Sequence, residues 1–179
     1  RGPQAGGAAM SLQIGTVSIE ALESLDLDQT YEILGGEAIQ RTVGGSGLKQ
    51  MTWARLRVQT SGQGWLPPGL ADLDTSQQMT LRCIVPRAIP CTGLVATLPA
   101  ARRSDAGYLP YGIATLASGQ AVKTSAVLVG NVATLAAVAG AVSYRALYYP
   151  ELTVWAMRPS HSGSRSEATH RWEITCEEV

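Results

Sequence analysis

Phenylalanine is missing altogether, and only two histidines are present among 179 residues. Charge is scarce too. Asp, Glu, Lys and Arg make up 16% of the chain, where an ordinary soluble domain carries roughly 25%. The 14 basic and 14 acidic residues cancel, and no block of like charge occurs. That removes the basic stripe a nucleic-acid site needs to displace counterions, and the polybasic segment that holds a chain to an anionic membrane. Three cysteines, Cys83, Cys91 and Cys176, form an odd set. Their spacing fits no zinc knuckle and they do not pair off as a disulfide framework, so they read as buried free thiols that behave as small hydrophobes.

Long apolar runs are lacking as well. The nearest is "AVLVGNVATLAAVAGAV", Ala126 to Val142, which Gly130-Asn131 interrupts and which falls short of a comfortable membrane span. Two strands about a turn fit it better, with 132–141 ambiguous between strand and helix. Catalytic signatures are likewise missing. Neither a GxSxG elbow nor a P-loop is found, and "GGSG" (Gly44 to Gly47) lacks the lysine and following helix that cradle phosphate. A triad assembled from Ser160, His161 and Asp105 would need an oxyanion hole and a pocket; "PSHSGSRSEATH" reads as a polar surface loop instead. Asp26, Asp28, Asp72 and Asp74 lack the dense oxygen spacing of a calcium loop. The expectation is a non-enzyme with no metal and no cofactor.

What the sequence has is alternation. In "LKQMTWARLRVQT" Ala54, Leu56 and Val58 oppose Arg55, Arg57 and Gln59. In "QMTLRCIVP" Met79, Leu81, Cys83 and Val85 share a side, and in "HRWEITCEEV" Trp172, Ile174 and Cys176 do. "SYRALYYP" and "ELTVWAMRP" repeat the pattern. Period two over many short segments, punctuated by glycine turns such as "LGGE" and "LVGNV", specifies half-buried strands. The fold class is all-β: an antiparallel β-sandwich or barrel with long connecting loops and at most one or two short helices. Ser18 to Leu25 offers two helical turns, and Pro68 to Asp74 one.

The organisation expected is a flexible arm or leader over residues 1–9, then one domain over 10–179 with an irregular excursion at about 86–119. That excursion holds four prolines and the run "RRSDAGYLPYG". Tyr108 and Tyr111 in it argue for docking on a neighbour rather than disorder. The turn "SGQGWLPPGL" raises the same question, because Trp65, Leu66, Pro67 and Pro68 stand where polar residues are usual. Trp65 could cap an open end of the core, anchor a subunit contact, or stack on a sugar. Low charge favours a surface that is covered in an assembly, since interface cores are depleted in charge; a lightly charged monomer is the alternative.

"GLKQMTWARLRVQTSGQGWLPPGLADLD" followed by "MTLRCIVPRAI" resembles small virion proteins encoded in the tail modules of siphovirus-type phages and prophages. The shared look is a strand with Trp, then SGxGWxPxGLxxLD, then a strand ending in Pro-Arg-Ala. It covers Tyr31 to Pro90, with "YYPELTVWA" and "WEITCEEV" a looser continuation. Distal-tail and tail-tip proteins fit it best. The resemblance implies a β-sandwich ring subunit joining the tail tube to the baseplate, partnered by copies of itself and by tube and hub proteins. It would be assembled in the host cytoplasm and end in the virion. Many distal-tail proteins carry a second, carbohydrate-module-like domain, for which 179 residues leave little room. A receptor- or carbohydrate-binding module, or a head decoration or neck protein, is the alternative on the same sandwich.

Overall fold

A computed structural model describes residues 11–19 and 23–179. Among them every regular element is a strand, and the sheets are antiparallel. In chain order these are β1 (Leu12–Ile14), β2 (Val17–Ile19), β3 (Asp26–Arg41), β4 (Gly47–Gly64), β5 (Met79–Arg82), β6 (Arg87–Pro90), β7 (Val95–Thr97), β8 (Tyr111–Leu116), β9 (Ala121–Thr124), β10 (Ala126–Val129), β11 (Val132–Leu135), β12 (Ala141–Tyr148), β13 (Glu151–Ala156), β14 (Ser160–Ser164) and β15 (Thr169–Glu178). The chain divides into two compact units. Of the described residues, one comprises 11–13 and 81–152, the other 14–19, 23–80 and 153–179, so β1, β5 and β13 each cross the boundary.

The first unit contains a small sandwich. A four-stranded sheet, β6-β12-β8-β9, faces a three-stranded one, β10-β11-β7. Their inner faces follow the period of two: Ala96 and Leu98, Ala133 and Leu135, Ala146 and Tyr148 form one buried cluster. Three of these six are alanines, which lets the layers approach closely. Gly112 takes this further, because a Cβ there would stand 2.6 Å from Thr124 Cγ2 and 2.7 Å from Leu135 Cδ1. The membrane-like stretch resolves into β10 and β11 around Gly130-Asn131, with Val129 paired to Val132. No helix among the described residues is long and apolar enough to cross a membrane.

Segment 86–119 is not a loop excursion. It supplies β6, β7 and β8 of this sandwich, its prolines falling at or beside strand ends, where the missing N–H is tolerated. Between β7 and β8, Arg103 is only 3% exposed. Its guanidinium donates to Asp105 Oδ1 and Oδ2 at 3.0 and 2.6 Å, to Ser11 O at 3.1 Å and to Cys83 O at 3.0 Å. Such forked, charge-assisted bonding is what permits an arginine to be buried.

In the second unit β15 forms the spine. β4 runs along one edge from Gly64 to Arg57, and β3 pairs with the far side of β4. Along the other edge of β15 lie β14 and then Val154–Ala156 of β13. Val58, Thr60, Trp172, Ile174, Cys176 and Ala156 make the buried face. Gln29 Nε2 donates to Thr60 Oγ1 at 3.2 Å, so this pair enters the interior satisfied. Cys83, Cys91 and Cys176 form no disulfide, the first and last being buried and Cys91 half-buried.

Neither expected helix is found among the described residues. Ser18 and Ile19 belong to β2, and residues 20–22 lie outside the described ones. Pro68 to Asp74 makes hydrogen-bonded turns, with Leu73 N donating to Leu70 O at 3.2 Å. Two adjacent prolines and a glycine remove the donors and stiffness a helical turn there would use. The arm expected over residues 1–9 lies outside the described residues.

Candidate interaction surfaces

The β3–β4 hairpin is far longer than the sheet that supports it. β15 leaves β4 at Arg57, yet β3 and β4 continue as a pair from Ile33↔Leu56 to Arg41↔Gly47. Beyond Leu56 this arm has no third strand among the described residues. Its tip closes through Thr42 N to Ser46 O at 3.0 Å and Gly45 N to Thr42 O at 2.8 Å. A bulge follows Gly35, where Thr52 and Trp53 together oppose Gly36 and Thr52 Oγ1 donates to Gly36 O at 2.8 Å. Bulges of this kind bend and twist a ribbon.

Residues facing each other across an antiparallel pair share a face. The face that buries Val58 and Thr60 therefore continues outward as Ile33, Leu56, Gly35 and Ala54, and past the bulge as Met51 and Ile39 interleaved with the charged Glu37, Lys49 and Arg41. Along the arm it is uncovered: Ile33 is 66% and Ile39 67% exposed, and Met51 is exposed beside them. Trp53 and Leu48 are exposed as well. A two-stranded ribbon is marginal by itself in water, and clustered exposed apolar side chains mark contact sites. The alternation of "LKQMTWARLRVQT" is real, but its apolar set is buried only from Val58 onward.

The loop after β4 presents a second apolar group. Trp65 is 60% exposed, and Leu66 and Pro67 are exposed with it. Trp65 does not plug the core, whereas Leu70 and Trp172 are buried. Pro67, Pro68, Leu70, Pro159 and Trp172 line a narrow apolar cavity of about 90 Å³. Trp65, Leu66, Pro67 and Pro68 thus stand together at the surface of the second unit.

Tyr108 is not an exposed contact residue. It is 2% exposed in the first unit, with the Arg103 guanidinium over its ring at 3.2 Å and Tyr149 edge-on at 4.9 Å. Its hydroxyl donates to Ser11 O at 3.4 Å, and burial raises its pKa. Burial of Arg103 required an acceptor and a ring, and Asp105 and Tyr108 supply them. Tyr111 is half-buried, with the Lys123 ammonium 4.3 Å above its ring.

Sequence reasoning passed over a further surface. The outer face of β10-β11-β7 consists of Val127, Val129, Val132, Thr134, Val95 and Thr97, all exposed. Six β-branched side chains and no charge make it a neutral plateau. The signal was present in "AVLVGNVATL", which reads apolar on both faces of each strand.

Polar groups concentrate elsewhere. Asp26, Asp28, Ser61, Gln63, Arg171 and Glu173 lie on one face of the second unit's sheet, lining an open depression of about 490 Å³. Arg171 Nε donates to Gln63 Oε1 at 3.0 Å, and Gln59 donates to Glu173. Ser160 and His161, neighbours on β14, point to opposite faces, and Asp105 is engaged by Arg103. Asp74 accepts from Ser76 N and Oγ, which lowers its pKa and identifies a local turn. Among the described residues no three His, Cys, Asp or Glu side chains gather as a metal would require.

Comparison with protein-family models, with curated proteins and with solved structures gives no match.

Proposed function

We propose that this chain is a structural subunit of a tailed-phage virion, a tail-tip or distal-tail component that forms a ring and links the tail tube to the baseplate. The observation that carries this reading is the β3–β4 arm, which runs beyond its own supporting strands and leaves Ile33, Ile39 and Met51 uncovered. A side chain such as Ile39 gains nothing from that position unless a neighbour covers it. The exposed Trp65 loop and the neutral β10-β11-β7 face support it, as does the 16% charge content. The resemblance of Tyr31 to Pro90 to tail-module proteins names the kind of particle.

Imaging of particles with and without the subunit tests the reading. Loss of the subunit is expected to leave tube and baseplate unjoined, with a tagged subunit labelling one ring at the tail end. Complete infectious tails formed without it, or label on the head, would overturn it. The polar depression bounded by Asp26 and Arg171 favours a second reading, a receptor- or glycan-binding module. Saturable glycan binding lost on Arg171→Ala would favour that one instead.

A further inference from the structure

From the free edge of the arm we infer that β3 adds to β3 of a second copy, antiparallel about a twofold axis at Ile39. This goes beyond the particle reading and requires only a second copy of the chain.

β3 pairs with β4 along one edge; along the arm its other edge meets no described strand. An open edge of this length is a template for strand addition. Glu37, Ile39 and Arg41 lie on the face that continues from Val58, each two residues from the next. A twofold perpendicular to the sheet keeps that face on one side in both copies, so only registers opposing residues of like parity are allowed. Centred on residue 37, the pairing sets Glu37 against Glu37. Centred on 38 or 40, it sets a charge against Ile39. Centred on 39, it sets Ile39 against Ile39 and Glu37 against Arg41 on both sides.

That register alone makes the edge charge-complementary to itself. Glu37 already holds Lys49, its diagonal neighbour on β4, at 2.5 Å, so the second copy's Arg41 gives it a second cation from the free edge. On the opposite face Ala38 meets Gln40, and neither obstructs. The result is a four-stranded sheet β4-β3-β3-β4 in place of a lone ribbon, which passes the three-strand threshold for independent stability. The contact joins copies in pairs and adds to any ring contact made elsewhere.

Cysteine cross-linking of the full chain tests this. Directly opposed residues have Cα atoms about 4.5–5.5 Å apart, within disulfide reach. Ile39→Cys should give a covalent dimer under mild oxidation. Glu37→Cys and Arg41→Cys should cross-link only when mixed with each other. By sedimentation, Arg41→Glu should weaken the dimer about tenfold, and Glu37→Arg with Arg41→Glu should recover most of that loss. A monomer at every concentration overturns the inference. So does a dimer in which Ile39→Cys fails to cross-link, or in which charge reversal has no effect. Neither result bears on where the subunit stands in a particle.

Discussion

Gly62 lies directly beneath the indole of Trp172: a Cβ at position 62 would stand 2.5 Å from Cζ2 and 2.6 Å from Cε2. The two are paired across β4 and β15, and Trp172 Nε1 donates to Glu23 O at 3.0 Å, so the ring cannot tilt away without breaking that bond. Gly62→Ala should destabilise the chain by about 1–3 kcal/mol through overpacking. Urea denaturation measures the loss, and near-ultraviolet circular dichroism reports the displaced indole.

Tyr108 and Trp65 should separate cleanly. Tyr108→Ala removes a buried ring and the surface on which Arg103 rests, at a cost of about 3–5 kcal/mol. Trp65→Ala, at an exposed site, should change stability by no more than about 0.5 kcal/mol while lowering particle yield. Thermal melting beside complementation distinguishes them; equal melting losses would place Trp65 in the interior.

Hydrogen bonding from Arg103 holds the Asp105 carboxyl below its ordinary range. A carboxyl whose folded pKa is depressed stabilises the fold above its unfolded pKa, and that contribution drains away as pH falls through the folded value. At neutral pH, Asp105→Asn should cost about 1–3 kcal/mol, less than a fully buried pair because the Asp105 side chain is 40% exposed. The gap between wild type and variant should close as pH falls below the ordinary carboxylate range. Urea midpoints measured from neutral to acid pH check the sign; a gap that widens in acid would contradict it.

Amides of the arm beyond Leu56 should exchange with solvent much faster than those of β4 between Arg57 and Gly64, because only the latter have β15 alongside. Assembly should slow them. Hydrogen exchange with mass analysis, on the free subunit and on the assembled form, gives both rates.

Much of the fold was legible because a period of two survives in any sequence whose sheets have one wet face. The pair β10 and β11 followed from one Gly-Asn turn between apolar runs, and Trp172, Ile174 and Cys176 are buried together as their spacing requires. Burial was harder to read than strand identity. Ile33 and Leu56 obey the same alternation as Val58, and Ile39 and Met51 rejoin that face past the bulge, yet of these only Val58 is buried. Whether a neighbour covers a strand is decided by residues distant in sequence. Proline misled over 86–119, where it sits at the ends of strands rather than in a free loop. Among the residues singled out for contact, the Trp65 group lies at the surface, whereas Tyr108 serves an arginine whose burial nothing in "RRSDAGYLPYG" announces.

Because β3 and β4 run unbroken from arm into sheet, a pull on the hairpin tip travels along the covalent backbone. It reaches the eight residue pairs that join β4 to β15, from Gly64↔His170 to Arg57↔Glu177. Their hydrogen bonds lie across the strands, so the load shears them together rather than peeling them singly. The force at which the arm yields is therefore set at its root, by a ladder that must fail all at once.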